Sequence, residues 1–284
     1  MGKTIFPIAG LSLLFLAGCY QPKEGCLDIR AKNYDVSADD PCPTCCTYPQ
    51  LTIAFQHQVI LTTQPDTFFS FRYNTAYPSP FDTSHYFDIL RSRYFLSNFR
   101  LIRENGEAAG ISDSIQIEVP EGVPVTVENN FTKVDRDIFQ PSVIGKILAN
   151  GSFRQIRFTL GLAESLLQTN PKSVPANHPL SIVSDTIIYK NGTGYIPNTL
   201  IFNPDTVSAA TPLTFRFFEP KEITLDLPQP FELDKGFSVK LTLKINYMAW
   251  FEGIDLQNDS PLTMQDKLTN NLAKAFAVSG IVME

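Results

Sequence analysis

From Leu51 onward, apolar residues recur at every second position rather than every third or fourth. In "LTIAFQHQVIL" one face reads Leu51, Ile53, Phe55, His57, Val59 and Leu61, and the other is mostly Thr, Ala and Gln. In "FSVKLTLKINYMAWF" the residues Phe237, Val239, Leu241, Leu243, Ile245, Tyr247, Ala249 and Phe251 alternate with Ser238, Lys240, Thr242, Lys244 and Asn246. Successive side chains of a strand point to opposite faces, so this pattern gives one buried and one wet face. Shorter alternating runs lie around 68–73, 93–102, 115–119, 153–162, 213–218 and 222–227, broken by turn sequences such as "YPSPFD", "ENGEA" and "KNGTGY". One helix is expected near the end, where Pro261, Thr263 and Asp266 make a start signal and Met264, Leu268, Leu272 and Phe276 recur near helical spacing. The stretch from Glu164 to Asp185 reads as a long, proline-bearing loop. Together these predict an all-β fold over 51–284, an antiparallel β-sandwich with one C-terminal helix docked on it.

The first fifty residues follow other rules. Lys3 precedes an apolar run from Ile5 to Ala17, too short to span a membrane and suited to a secretory signal. It closes with Leu16-Ala17-Gly18-Cys19, which resembles a bacterial lipobox, so residues 1–18 are expected to be a lipoprotein signal peptide and Cys19 the acylated anchor. That implies membrane attachment through the lipid, on the periplasmic or cell-surface face of an outer membrane, in a compartment that permits disulfides. A net charge of −6 without any Lys/Arg cluster argues against nucleic acid as a partner.

Residues 19–50 form a Cys- and Asp-rich tether. Its thiols Cys26, Cys42, Cys45 and Cys46 are an even set, for which two disulfides are the default. Adjacent Cys45 and Cys46 would bridge only through a strained ring, leaving 26–45 with 42–46, or 26–46 with 42–45. Zinc would need two separated pairs, unlike the C-x15-C-x2-C-C spacing here. Asp28, Asn33, Asp35, Asp39 and Asp40 offer oxygen ligands for calcium, with a spacing unlike the EF-hand loop. Gly25, Cys26, Asp28, Ala31, Asn33, Tyr34, Asp35, Ala38, Asp39 and Asp40 resemble a short module of secreted and surface proteins in the Bacteroidetes group, which implies a small N-terminal disulfide-stapled segment that spaces the main domain from its anchor.

Within the main domain the ordered set "LTIAFQHQV", "YFLSNFRLIRENGE", "GSFRQIRFTLGLAESLLQTNP", "NHPLS", "GTGYI" and "MAWFEGIDL" is similar to the MbnP-like family of secreted β-sandwich proteins associated with methanobactin and copper handling. Tyr94, Leu96 and Ser97 fall in a Y-x-L-S strand and Phe158, Gly161 and Leu162 in an F-x-x-G-(V/L) strand end. The resemblance implies copper as cofactor, histidine ligands, in some relatives a tryptophan oxidised to kynurenine, and a haem-containing oxidase as partner. Imidazole suits copper chemically. The chain departs from the pattern at "TIIYKNGTGY", where Tyr189 stands in place of an expected tryptophan ahead of Gly194 and Tyr195. The single tryptophan, Trp250, belongs to another stretch.

The candidate metal ligands are therefore His57, His85 and His178, the only histidines, with Met248 or a carboxylate in support. His57 sits in phase with an apolar strand face, which favours a hydrogen-bonded core role. No G-x-S-x-G elbow, H-E-x-x-H helix or P-loop occurs, so no enzyme is expected. Asp113-Ser114-Ile115, Asp185-Thr186-Ile187 and Asp205-Thr206-Val207 resemble bacterial O-glycosylation acceptors, while sequons occur at Asn130, Asn150 and Asn191. Two readings remain: a copper-binding sandwich, or a metal-free surface interaction module.

Overall fold

The computed structural model describes residues 20–119, 122–181, 187–207 and 211–284. The expected signal peptide and Cys19 lie outside the described residues.

The alternating stretches become strands of two curved sheets. The first pairs Gln50–Leu61 with Gln64–Ser70, Ser142–Ile147 and Val239–Asn246, and adds Phe276–Met283 beyond Val239–Asn246. The second is built on the long strand Tyr86–Arg103, flanked by Phe131–Asp135, Gly151–Leu160 and Asn198–Asn203. Leu213–Phe217 and Lys221–Leu233 extend it outward. Ala108–Ser112 pairs with Tyr86–Arg103 on one side and Ser142–Ile147 on the other, and so joins the two sheets. Leu51, Ile53, Leu241 and Leu243 from the first sheet share one buried cluster with Tyr94, Leu96, Phe99 and Phe158 from the second. Phe158 meets Phe276 across the gap with ring centroids 5.7 Å apart.

Two local departures follow from backbone constraints. Asn98 adopts φ +56 and its N–H donates to the Asn130 carbonyl at 2.8 Å, which shifts the inward phase of the long strand from Leu96 to Phe99. Pro228 and Pro230 sit where the pairing of Lys221–Leu233 with Gly151–Leu160 skips from Asp226 to Phe231, because proline has no N–H to give a ladder.

Among the described residues the sandwich strands pair antiparallel with one exception, since Gln50–Leu61 and Val239–Asn246 run parallel. These strands are far apart in sequence, so no hairpin dictates their direction. Alternation also fails to continue past Asn246. Residues Tyr247–Phe251 form a 3-10 turn started by the Asn246 side chain, which accepts from the Met248 N–H, and all five are buried. The helix spans Pro261–Asn271 with Ser260 as its cap, the hydroxyl accepting from the Thr263 N–H at 3.2 Å. It stops short of the predicted end. Leu272–Ala275 tighten into a 3-10 turn and Phe276 opens a strand.

A second apolar cluster covers the outer face of the long strand. It gathers Phe95, Ile117, Phe131, Leu162, Leu166, Leu180 and Tyr195, so the outer face of Tyr86–Arg103 is buried around Phe95. The expected loop contributes to it through a one-turn helix, Glu164–Leu167. Ahead of the sandwich, Cys26–Cys46 and a two-residue parallel pair, Glu24–Gly25 with Asp40–Pro41, hold the N-terminal segment. Lys32 Nζ donates to Ser238 Oγ at 3.2 Å, which links that segment to the first sheet.

Candidate functional site

Each histidine has its own surroundings. His57 lies on Gln50–Leu61 opposite Ile245 in the parallel register, which brings Tyr247, just past the strand end, alongside it. His57 Nδ1 and the Tyr247 hydroxyl share a hydrogen bond of 2.8 Å. Tyr247 stacks on Phe71 at 3.9 Å and meets Trp250 edge-on at 4.9 Å. Trp250, fully buried, donates from Nε1 to the Leu272 carbonyl at 3.2 Å. His57 Nε2 is buried with no hydrogen-bond partner. Burial, aided by the nearby Arg136 guanidinium, lowers the imidazole from 6.5 to about 4, so it is neutral at physiological pH.

Behind this pair lies a polar group that the pattern of the sequence does not reveal. Asp135, 4 % exposed, forms an ion pair with Arg93 and accepts from Tyr73, whose hydroxyl also donates to the Ser92 carbonyl at 2.6 Å. Arg136 Nε donates to the Phe71 carbonyl at 2.9 Å. Burial pushes the phenols of Tyr73, Tyr94 and Tyr247 above the ordinary tyrosine value.

His85 closes a surface loop. Its Nε2 donates to the Pro204 carbonyl at 2.7 Å, and its Nδ1 accepts from Gln257 Nε2 at 3.0 Å. His178 contacts Asn129 Oδ1 through Nε2 at 2.7 Å, and its Nδ1 accepts from the Leu180 N–H at 3.3 Å. Its ring abuts the edge of Phe131 at 5.4 Å, and burial lowers its basicity. The structure does not bring any two of the three histidines together. The rings occupy three separate environments, two of them have both nitrogens engaged by protein groups, and no cluster of three or more His, Cys, Asp or Glu suited to a metal occurs among the described residues. Met248 is 2 % exposed within the 3-10 turn beside Tyr247 and Trp250.

His178 lines a groove of about 540 Å³ between Phe131–Asp135, the start of Ser142–Ile147 and the 176–181 loop. Its polar lining includes Thr132, Lys133, Ser142 and Ser181, and its apolar lining includes Ile138 and Val143, both exposed.

The N-terminal segment holds one disulfide where two were expected. Cys26 and Cys46 are bridged with Cα atoms 5.0 Å apart, but Cys42 and Cys45 remain thiols. The Cys45 thiol turns toward the Cys42 carbonyl at 2.9 Å. The calcium set is dispersed: Asp28 is held by Arg30 and Tyr48, Asp35 by Lys23 and Ser37, Asp39 by the Lys23 N–H, and Asn33 by Thr47 and the Cys45 carbonyl. Arg30 holds Asp28 far below the usual carboxylate range, and Lys23 lowers Asp35 to about 2. The oxygens of Asp28, Asn33, Asp35 and Asp39 serve cations and hydrogen-bond donors already present. Of the sequons, Asn130 is buried, its amide bonded to the Phe99 N–H and to the Phe99 and Ile111 carbonyls.

The MbnP family model matches residues 48–266, which takes in the strands of both sheets apart from Phe276–Met283 and ends within the capped helix. The chain belongs to the MbnP family. Among solved structures, MbnP from Methylosinus trichosporium is similar at 11% identity, covering 73% of this chain and 77% of that one, with a TM-score of 0.36. No curated protein matches. In this MbnP-family chain the family-like Tyr94 and Leu96 face the main core, while Ser97 Oγ donates to the Gly161 carbonyl at 2.8 Å. Tyr189, which stands in the expected tryptophan position, packs edge-on against Tyr195 at 5.1 Å in the small hairpin of Tyr189–Lys190 and Gly194–Tyr195.

Proposed function

We propose that the chain is a lipid-anchored, extracytoplasmic binding module of the MbnP family, held at the outer membrane through Cys19 and without catalytic chemistry. The observation that carries this reading is the engagement of the histidines: His85 and His178 spend both ring nitrogens on pinning loops, and His57 spends one on Tyr247. Imidazoles used this way serve the fold, and the polar-floored groove beside His178 is left as the recognition surface. Two measurements test it. Radiolabelled palmitate fed to cells should enter the full chain and be lost in Cys19→Ser; equal labelling of both would remove the anchor. Titration of Cu(I) and Cu(II) into the purified protein should give no stoichiometric binding that depends on a histidine.

One observation favours the copper reading as a second possibility. His57 Nε2 has no hydrogen-bond partner and its ring is neutral, and a metal binds a neutral imidazole nitrogen. On that reading copper binds His57 and a haem-containing oxidase is the partner. Stoichiometric copper in the parent that disappears in His57→Ala, and persists in His85→Ala and His178→Ala, would establish it over the first.

A further inference from the structure

We propose that Cys42 and Cys45 form a reversible dithiol–disulfide couple, a thiol–disulfide exchange site whose substrates are accessible disulfides. The sequence Cys42-Pro43-Thr44-Cys45 folds as a single 3-10 turn over Pro43–Cys45 with Cys42 at its start. The Cys45 N–H donates to the Cys42 carbonyl at 3.1 Å, which returns the second cysteine beside the first. Cys42 is half-buried and Cys45 exposed, and neither takes part in the Cys26–Cys46 bridge. C-x-x-C turns are where one thiol commonly gains thiolate character from the other. The Cys45 thiol turns back to the Cys42 carbonyl at 2.9 Å, which keeps it beside Cys42, and the neighbouring thiol lowers Cys42 and raises Cys45; on that geometry Cys42 is assigned as the attacking sulfur and Cys45 as the resolving one.

The surroundings keep this exchange local. Cys42 N–H is fixed to the Gly25 carbonyl at 2.8 Å, Asn33 bonds the Cys45 carbonyl and the Thr47 N–H at 2.8 Å each, and Cys26–Cys46 closes the frame. None of these contacts involves the Cys42 or Cys45 sulfur. With glutathione disulfide as oxidant, the Cys42 thiolate attacks one sulfur, a Cys42–glutathione bond forms, and one glutathione thiolate leaves. Cys45 then loses its proton and attacks the Cys42 sulfur, forming Cys42–Cys45 and releasing the second glutathione thiolate. Two electrons pass from the protein to the oxidant, and the Cys45 proton passes to solvent.

The purified protein, equilibrated in buffers of graded glutathione-to-glutathione-disulfide ratio, acid-quenched and alkylated with N-ethylmaleimide, tests this by peptide mass spectrometry. Under oxidising ratios the Cys42 and Cys45 thiols should become unreactive with a loss of two hydrogens, and reappear under reducing ratios while Cys26–Cys46 persists throughout. Cys45→Ser should accumulate a glutathione adduct on Cys42, and Cys42→Ser should react more slowly at Cys45. Alkylation of both thiols at every ratio, a Cys42–Cys45 bond that opens only together with Cys26–Cys46, or a bond from either thiol to Cys26 or Cys46 would overturn the proposal.

Discussion

The buried His57–Tyr247 pair makes acid an informative perturbation. In the unfolded chain the imidazole takes up a proton near 6.5, whereas in the fold burial delays uptake to about 4. The native state thus binds fewer protons in between, and stability contributed by this group is whole above about pH 6.5 and falls as pH drops toward 4. At about 1.4 kcal/mol per pH unit, the full difference is about 3 kcal/mol, an upper figure because the side chain is not wholly enclosed. Carboxylates also lose stabilisation in acid, so the comparison needs a partner lacking only this group. His57→Gln removes the titration and costs a roughly constant 1 kcal/mol for the weakened Tyr247 hydrogen bond. Urea unfolding followed by fluorescence of the single, buried Trp250, at intervals from pH 7.5 to 4, reports both proteins. The stability gap between parent and variant should narrow and then reverse as pH falls. Parallel curves across that range would refute the claim that His57 is held neutral by burial.

Three further outcomes follow from the packing. Gly194 has φ +85, and an added Cβ would fall 2.1 Å from the Leu167 carbonyl oxygen, so Gly194→Ala should lower stability by about 2 kcal/mol or more in chemical denaturation. Ser260→Ala removes the acceptor for the Thr263 N–H and should cost about 1 kcal/mol in the same assay, with helix content reduced in circular dichroism. Trp250→Ala should cost about 3–5 kcal/mol, because it opens a cavity between Tyr94 and Tyr247 and leaves the Leu272 carbonyl without its donor. A loss near 1 kcal/mol would mean the 3-10 turn can collapse onto the vacancy.

The sheets were largely legible because alternation at Leu51–Leu61 and Val239–Ile245 reports burial directly. Ser142–Ile147 and Asn198–Asn203 were not: Asn198, Thr199 and Leu200 are buried in succession, and the glycine of Ser142–Ile147 sits at a register shift, so neither strand has a clean period of two. The turn at Tyr247–Phe251 hides behind an apolar alternation that continues by chance, and only the capping chemistry of Asn246 marks the break. Helical spacing from Met264 to Leu272 was real, but Phe276 matched it while belonging to a strand. For the site, the phase of His57 pointed to a buried, hydrogen-bonded core side chain; the ring is hydrogen-bonded to Tyr247 but only half-buried. Its partner Tyr247, 190 positions away, was hidden because their contact depends on a parallel register between distant strands, which no local pattern encodes. The same holds for Asp135 with Arg93, which are joined by neighbouring strands rather than by spacing.

That parallel register also governs the order in which the molecule can come into being. The strand that opens the sandwich, Gln50–Leu61, has a neighbour in Val239–Asn246 that emerges from synthesis only after most of the chain has been made. Until then its unfinished edge can meet other incomplete chains, and closure of so large a loop is entropically slow. A stop codon or protease cut ahead of Val239 would therefore leave a sticky fragment instead of a smaller working version, and chaperone demand during maturation should be high for its size.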